Sequence, residues 1–227
     1  MLQVDSIYKK FGGVIALDNV SYSLNGKEIA GIIGPNGSGK TTLLNVISGL
    51  VKPDRGKVLF KGEDITKLPP NVIARRGIAR TFQQPKVFQK FSVFENMLVV
   101  TNDRSKIYDS LKRVGLDNQI SRNAGSLTIL DVRRLEIARC LALEPEIILL
   151  DEPFAGLTTQ EAVLLSDLIT SLYKDLGISF VIVEHRLKYL FKLAQRVTVM
   201  HAGRVIAEGS PGDVISDKKV REVYLGV

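Results

Sequence analysis

Glu28-Ile29-Ala30-Gly31-Ile32-Ile33-Gly34-Pro35-Asn36-Gly37-Ser38-Gly39-Lys40-Thr41-Thr42-Leu43-Leu44 decides how the rest of the chain is read. An apolar run with β-branched residues gives a buried strand that ends at Gly34. Leu43, Leu44, Ile47 and Leu50 then recur at helical spacing, so a helix follows from Thr41 to Leu50. Between them, Gly34 to Thr41 fits G-x-x-x-x-G-K-[ST] at every fixed position. A polyphosphate needs backbone N–H groups pointed inward as a nest, and the glycines allow that close approach. Lys40 supplies a point charge to the outer phosphates. The Thr41 hydroxyl can ligate Mg²⁺, and the helix aims its positive end at the same place.

Residues 2–33 alternate short apolar and polar runs with turn signals at Gly12-Gly13 and Asn25-Gly26, which predicts several strands. Lys57 to Phe60 adds another. From about Pro85 to Leu143 the pattern becomes helical, with Ser92-Val93-Phe94-Glu95 as a capping box and helices over Asp103–Val114 and Val132–Leu143. Strand and helix alternate afterwards: Ile147–Leu150, Gln160–Leu176, Ser179–Val183, Arg186–Ala194, Val197–Met200. Such alternation predicts a parallel sheet with crossover helices, the helical stretch being an inserted subdomain.

The 227 residues, 45% hydrophobic and 24% charged, provide ample material for a core. Cys140 is the only cysteine, which excludes an internal disulfide and suits a small buried apolar position. No apolar run reaches the roughly 20 residues that span a bilayer, and Met1 to Lys10 lacks a signal-peptide core. A cytoplasmic chain is expected. The net charge of +7 favours an acidic partner, yet the basic residues are scattered, with short clusters at Arg75-Arg76, Arg133-Arg134 and Lys218-Lys219.

Ile147-Ile148-Leu149-Leu150-Asp151-Glu152-Pro153 runs an apolar strand into two acids. A buried strand delivers such carboxylates to the sheet's C-terminal edge, where ligands of these folds bind. Asp151 would hold Mg²⁺, directly or through water, and Glu152 could polarise an attacking water as general base. Alone, the pair would equally suit an ordinary polar strand end; beside the phosphate loop the functional reading prevails.

With these motifs in this order, the whole chain resembles the ATP-binding cassette (ABC) family of transporter ATPases. The resemblance implies an α/β P-loop NTPase core, a mixed, largely parallel sheet with an N-terminal antiparallel β-subdomain, formed by residues 1–84 and 144–227. An α-helical subdomain would be inserted over about 85–143. It implies ATP and Mg²⁺ as cofactors, with Gly34, Pro35, Asn36, Gly37, Ser38, Gly39, Lys40, Thr41 and Thr42 on the nucleotide. Phe11 matches the aromatic residue that stacks on adenine, with a core Phe as the even alternative. Gln83, in Arg80-Thr81-Phe82-Gln83, matches the glutamine that contacts Mg²⁺ and water and senses the membrane subunit. His185, in Ile182-Val183-Glu184-His185, matches the histidine that contacts the γ-phosphate. The implied partners are transmembrane permease subunits and a second ATPase subunit, identical or different, on the inner face of the cell membrane; no nucleic acid is expected. Gly77 to Gln83 and Phe94-Glu95-Asn96 are similar to ATPases of branched-chain amino-acid importers. Asp151 to Leu157 and the ending Val223-Tyr224-Leu225-Gly226 also resemble ATPases of lipopolysaccharide export, and a urea or amide importer is also close.

The family's signature loop, usually Leu-Ser-Gly-Gly-Gln, is here Leu127-Thr128-Ile129-Leu130-Asp131. In the family this loop closes over ATP held by the other subunit. Ile129 and Leu130 in place of glycines are expected to obstruct that approach, and Asp131 to repel phosphate unless it serves structurally as N-cap of a helix from Val132. Thr158 stands where the family has Asp or Asn. The expectation is an asymmetric machine, hydrolysing beneath a partner's intact signature. Three function classes remain: transporter ATPase, soluble ABC ATPase on nucleic acid or ribosomes, and a cassette that binds ATP without turning it over.

Overall fold

A computed structural model of the chain describes residues 1–225; Gly226 of the quoted ending lies outside them. Strands β1 (Leu2–Phe11), β2 (Val14–Leu24), β4 (Arg55–Phe60) and β5 (Glu63–Asp64) form an antiparallel sheet in the order β2-β1-β4-β5. The second sheet runs β10 (Arg204–Gly209), β9 (Arg196–His201), β3 (Ile29–Ile33), β8 (Ser179–Val183), β7 (Ile147–Asp151), β6 (Ile78–Arg80). Neighbours are parallel from β9 to β6, and β10 is antiparallel at one edge. This mixed α/β architecture is the one the motifs imply.

Every residue of β3, β7 and β8 is buried, which explains their unbroken apolar runs: a parallel sheet is covered on both faces. Side chains alternate between two cores. Ala30, Ile32, Ile147, Leu149, Val181 and Val183 meet the antiparallel sheet and helix α1 (Lys40–Ile47). Ile29, Ile33, Ile148, Leu150, Phe180 and Ile182 face the other core, built with α5 (Ile129–Leu141), α6 (Thr159–Leu176) and α7 (Leu187–Leu193). Cys140 belongs to that second core, where burial pushes its thiol up to about 12.

Between β6 and β7 lie α3 (Val93–Leu98), α4 (Arg104–Arg113) and α5. Ser92 and Glu95 close the expected capping box at α3. Four elements of the sheets and their connections escaped the periodicity: β5, α2 (Pro70–Arg75), β6 and β10. β6 has only three residues, too few for a pattern. The last helix pair, α8 (Pro211–Ser216) and α9 (Lys218–Leu225), was also unanticipated.

The start of α5 corrects the sequence reading. Thr128, not Asp131, is the N-cap, and its hydroxyl accepts the Asp131 N–H at 3.1 Å. The helix therefore begins at Ile129 rather than Val132. Asp131, in the first turn, is buried and accepts from Gln119 Nε2 and Arg134 Nη1, each at 3.3 Å, so its charge is satisfied inside the chain rather than directed at phosphate. Leu130 is also inside, 6% exposed, whereas Ile129 stands 51% exposed. One helical step of about 100° separates the two fates.

Candidate nucleotide site

Parallel pairing puts the C-terminal ends of β3, β8, β7 and β6 on one edge, so four sequence motifs arrive together. The phosphate loop leaves β3. A Cβ at Gly34 would lie 2.1 Å from the Met200 carbonyl, and one at Gly39, φ 102°, 2.6 Å from that of Ala16. Only glycine closes the loop this tightly against β9 and β2. Gly39 is the N-cap of α1 and provides no side-chain cap, which leaves first-turn N–H groups for an anion. Lys40 is buried and arches over the loop, donating to the carbonyls of Gly34 at 2.8 Å and Pro35 at 3.0 Å. Burial lowers its pKa, and the charges of Glu152 and Asp151 oppose that shift. Pro35, Asn36, Gly37 and Ser38 complete the turn, with Ser38 N–H donating to Pro35 O at 3.2 Å. Thr42 follows, half-buried, in the first turn of α1.

Asp151 ends β7, buried, with Oδ1 accepting from Thr41 Oγ1 at 3.5 Å and Oδ2 from Arg80 Nη2 at 3.0 Å. Arg80 also donates to Asn45 Oδ1 at 2.7 Å and Ser48 Oγ at 3.0 Å, both on or beside α1. Burial pulls the Asp151 carboxyl up and the Arg80 guanidinium down, and each one's charge opposes the other's shift. The guanidinium keeps its proton at any ordinary pH, so the pair is ionic. The oxygens of Thr41 and Asp151 suit a hard cation such as Mg²⁺, which binds one or two protein oxygens and takes the rest from phosphate and water.

Glu152 follows in a left-handed conformation, φ 50°, uncommon for a residue with a side chain. Its Oε1 lies 3.1 Å from His185 Nε2. His185 is held by its neighbour: Glu184, buried, accepts the N–H groups of His185 and Arg186 at 2.9 Å each and of Phe154 at 2.8 Å. Arg186 reaches back to the carbonyls of Phe154 at 2.9 Å and Leu157 at 2.8 Å. The loops after β7 and β8 are thus tied into one unit. Thr158 closes the far end of that loop as N-cap of α6, in a capping box with Glu161. Thr, Asp and Asn all cap well, so this departure keeps the local structure.

Thr41, Asp151, Glu152, His185 and Lys40 converge. Gln83 does not join them: it is exposed, and its hydrogen bond is made by its carbonyl, to Arg133 Nη2 at 3.3 Å. Phe11, at the tip of the β1–β2 hairpin, is 47% exposed, which removes the core alternative for it. Sequence reasoning passed over Arg80, Arg133, Glu184 and Arg186. A buried charge beside a motif leaves no trace in spacing.

The sequence pattern of the ABC transporter family matches residues 17–155, and that of the branched-chain amino acid ATP-binding cassette transporter matches residues 204–227. The chain is 35% identical to the high-affinity branched-chain amino acid transport ATP-binding protein LivG of Escherichia coli (strain K12), over 100% of this chain and 98% of that one. It is 35% identical to the lipopolysaccharide export system ATP-binding protein LptB of Haemophilus influenzae, covering 100% and 97%. Among solved structures, the ADP conformation of MJ1267, an ATP-binding cassette of an ABC transporter, superposes with a TM-score of 0.93 at 36% identity, covering 100% of this chain and 99% of that one.

Proposed function

Because the chain belongs to the ABC transporter family of ATP-binding cassettes, we propose that it hydrolyses MgATP to drive import of branched-chain amino acids or related small solutes. The observation that carries the reading is the convergence of Thr41–Asp151 and Glu152–His185 at the mouth of the phosphate loop. Lys40 and the loop amides neutralise the phosphates. Thr41 and Asp151 would hold Mg²⁺, which would supply charge neutralisation at the transferring phosphoryl group; Gln83, exposed and outside this cluster, would join as a further ligand only by moving toward it. Glu152 orients and polarises the attacking water, and His185 fixes that carboxylate and meets the γ-phosphate. Phe11 stacks on adenine.

The helices α3–α5 form the unit of about 85–143, inserted into the core of 1–84 and 144–227; their buried Met97, Ile107, Leu111 and Leu135 share one continuous apolar core with Ile148, Phe180 and Ile182, so the unit is packed on the sheet rather than apart from it. A cleft of about 200 Å³ lies between it and the core, lined by Thr81, Phe82, Lys86, Val100, Arg139 and Leu143 among others. Phe88 and Phe91 stand exposed nearby, ring centroids 5.5 Å apart. This is where a permease subunit would dock, at the inner face of the membrane. Among the described residues no helix is long and apolar enough to cross a membrane. The second subunit of the ATPase pair is a cassette with an intact signature. The likeness to LptB supports export of a lipid as the second reading.

Lys40→Ala is expected to abolish MgATP binding by the purified chain. Glu152→Gln keeps binding and lowers hydrolysis by about 10²-fold or more. Deleting the gene lowers uptake of radiolabelled branched-chain amino acid if the import reading holds; unchanged uptake with a defective outer surface would favour export.

A further inference from the structure

Arg133 and Glu136 are two charged side chains, 6% and 4% exposed, in the core side of α5. Burying an ion pair costs several kcal/mol per ion before its contacts are counted. A helix that needed only to pack would carry apolar residues there. The contacts explain the pair. Arg133 Nη1 donates to Glu136 Oε2 at 3.2 Å and to the Phe82 carbonyl at 3.3 Å. Its Nη2 donates to the Gln83 carbonyl at 3.3 Å and to the Glu152 carbonyl at 3.5 Å. Glu136 Oε1 accepts the Lys86 N–H at 3.2 Å. One guanidinium therefore holds the carbonyls of Phe82 and Gln83, one on each Nη, and reaches the Glu152 carbonyl with the Nη2 that also holds Gln83, while Glu136 holds the Lys86 N–H. The planar fork suits this task, since a lysine ammonium is a point charge on a flexible stem. The Glu152 carbonyl also accepts the Ala155 N–H at 3.1 Å, the residue's own N–H donates to Val183 O at 2.9 Å and its carboxylate meets His185 Nε2 at 3.1 Å, while its backbone sits in the strained left-handed region. A small shift of its carbonyl would swing its side chain relative to the phosphate loop.

We propose that Arg133 is a positioning residue that sets the Glu152 backbone according to the placement of residues 82–86, with Glu136 as its buried counter-charge. Phe82 and Lys86, the two ends of this segment, line the cleft, so a permease seated there acts on Glu152 through one side chain. The proposal rests on the reading of Glu152 as the residue that polarises water.

The test uses the chain assembled with its partner cassette and permease. Arg133→Met keeps the apolar stem and removes the fork. The expected result is a fall in kcat of about tenfold or more with KM for MgATP within about twofold, as misplacement of a reacting group gives. Hydrogen exchange should rise together at 82–86 and 152–154 while the interior of α5 stays protected. Arg133→Lys should not rescue kcat. Glu136→Gln, which keeps shape and loses charge, should move the same two segments and serves as the readout if Arg133→Met does not fold. Unchanged kcat, exchange rising at one segment only, or protection lost along all of α5 would each overturn the proposal. Glu152→Gln runs beside it: hydrolysis that survives that change defeats the general-base reading alone, because the exchange result still decides whether Arg133 joins the two segments.

Discussion

Phe11 stands half exposed at a hairpin tip with Lys9 Nζ 5.2 Å from its ring centroid. An aromatic ring left in water at a hairpin tip, with Val14 and Ile15 also exposed, offers a face for a base. Stacking of a base on an aromatic side chain contributes about 1–3 kcal/mol. Phe11→Ala should therefore weaken ATP binding by roughly fivefold to a hundredfold. Affinity for inorganic triphosphate, which has no base, should not change; calorimetry with both ligands separates the two, and equal losses would place Phe11 in loop structure instead. At this scale the sequence motifs named Lys40, Thr41 and Asp151, and the fold brings the three together. The sequence was silent where a residue is demanded by another part of the chain. Glu184 touches three backbone N–H groups from two loops, and only the fold brings Phe154 to it.

Helix α5 shows the same limit one level up. Its apolar residues were visible, but its start was not, because Thr128 and Asp131 are both competent caps. Geometry chose Thr128, and the register that follows puts Leu130 in the core and Ile129 outside. The two substitutions for glycine therefore have different energetic roles. Leu130→Ala should lower unfolding free energy by about 2–5 kcal/mol, the range for a buried leucine. Ile129→Ala should change it by no more than about 0.5 kcal/mol, as at surface positions. Urea unfolding of the two variants measures both, and equal losses would mean that Ile129 packs as firmly as its neighbour. The strand β6 was illegible for a simpler reason: three residues of one strand carry no period, and its pairing with β7 is long-range information.

For the molecule as a whole, the consequence falls on assembly. Lys40, Thr41, Asp151, Glu152 and His185 gather within the one chain, whereas Ile129, the first residue of α5, is β-branched and exposed. If the segment meets another subunit's nucleotide, Ile129 is the exposed side chain that would stand in the way; it lies against Gly156 in the loop after β7, where an added Cβ would meet it at 3.7 Å. Leu130 and Asp131 are internal and belong to the chain's own stability. Ile129→Gly alone, rather than replacement of the whole segment, is then the informative change. The wild-type chain by itself should turn over ATP slowly, and addition of a partner cassette with an intact signature should raise turnover by about tenfold or more. Ile129→Gly should raise the rate of the chain alone, since the backbone at the start of α5 could then approach a γ-phosphate held across the interface. Steady-state ATPase assays at fixed MgATP and increasing protein concentration check this, because hydrolysis that needs two cassettes grows faster than linearly with concentration. Brisk hydrolysis by the unaltered chain would overturn the asymmetric arrangement. An Ile129→Gly variant as slow as the wild type would shift the obstruction from this side chain to Thr158 and the loop it caps.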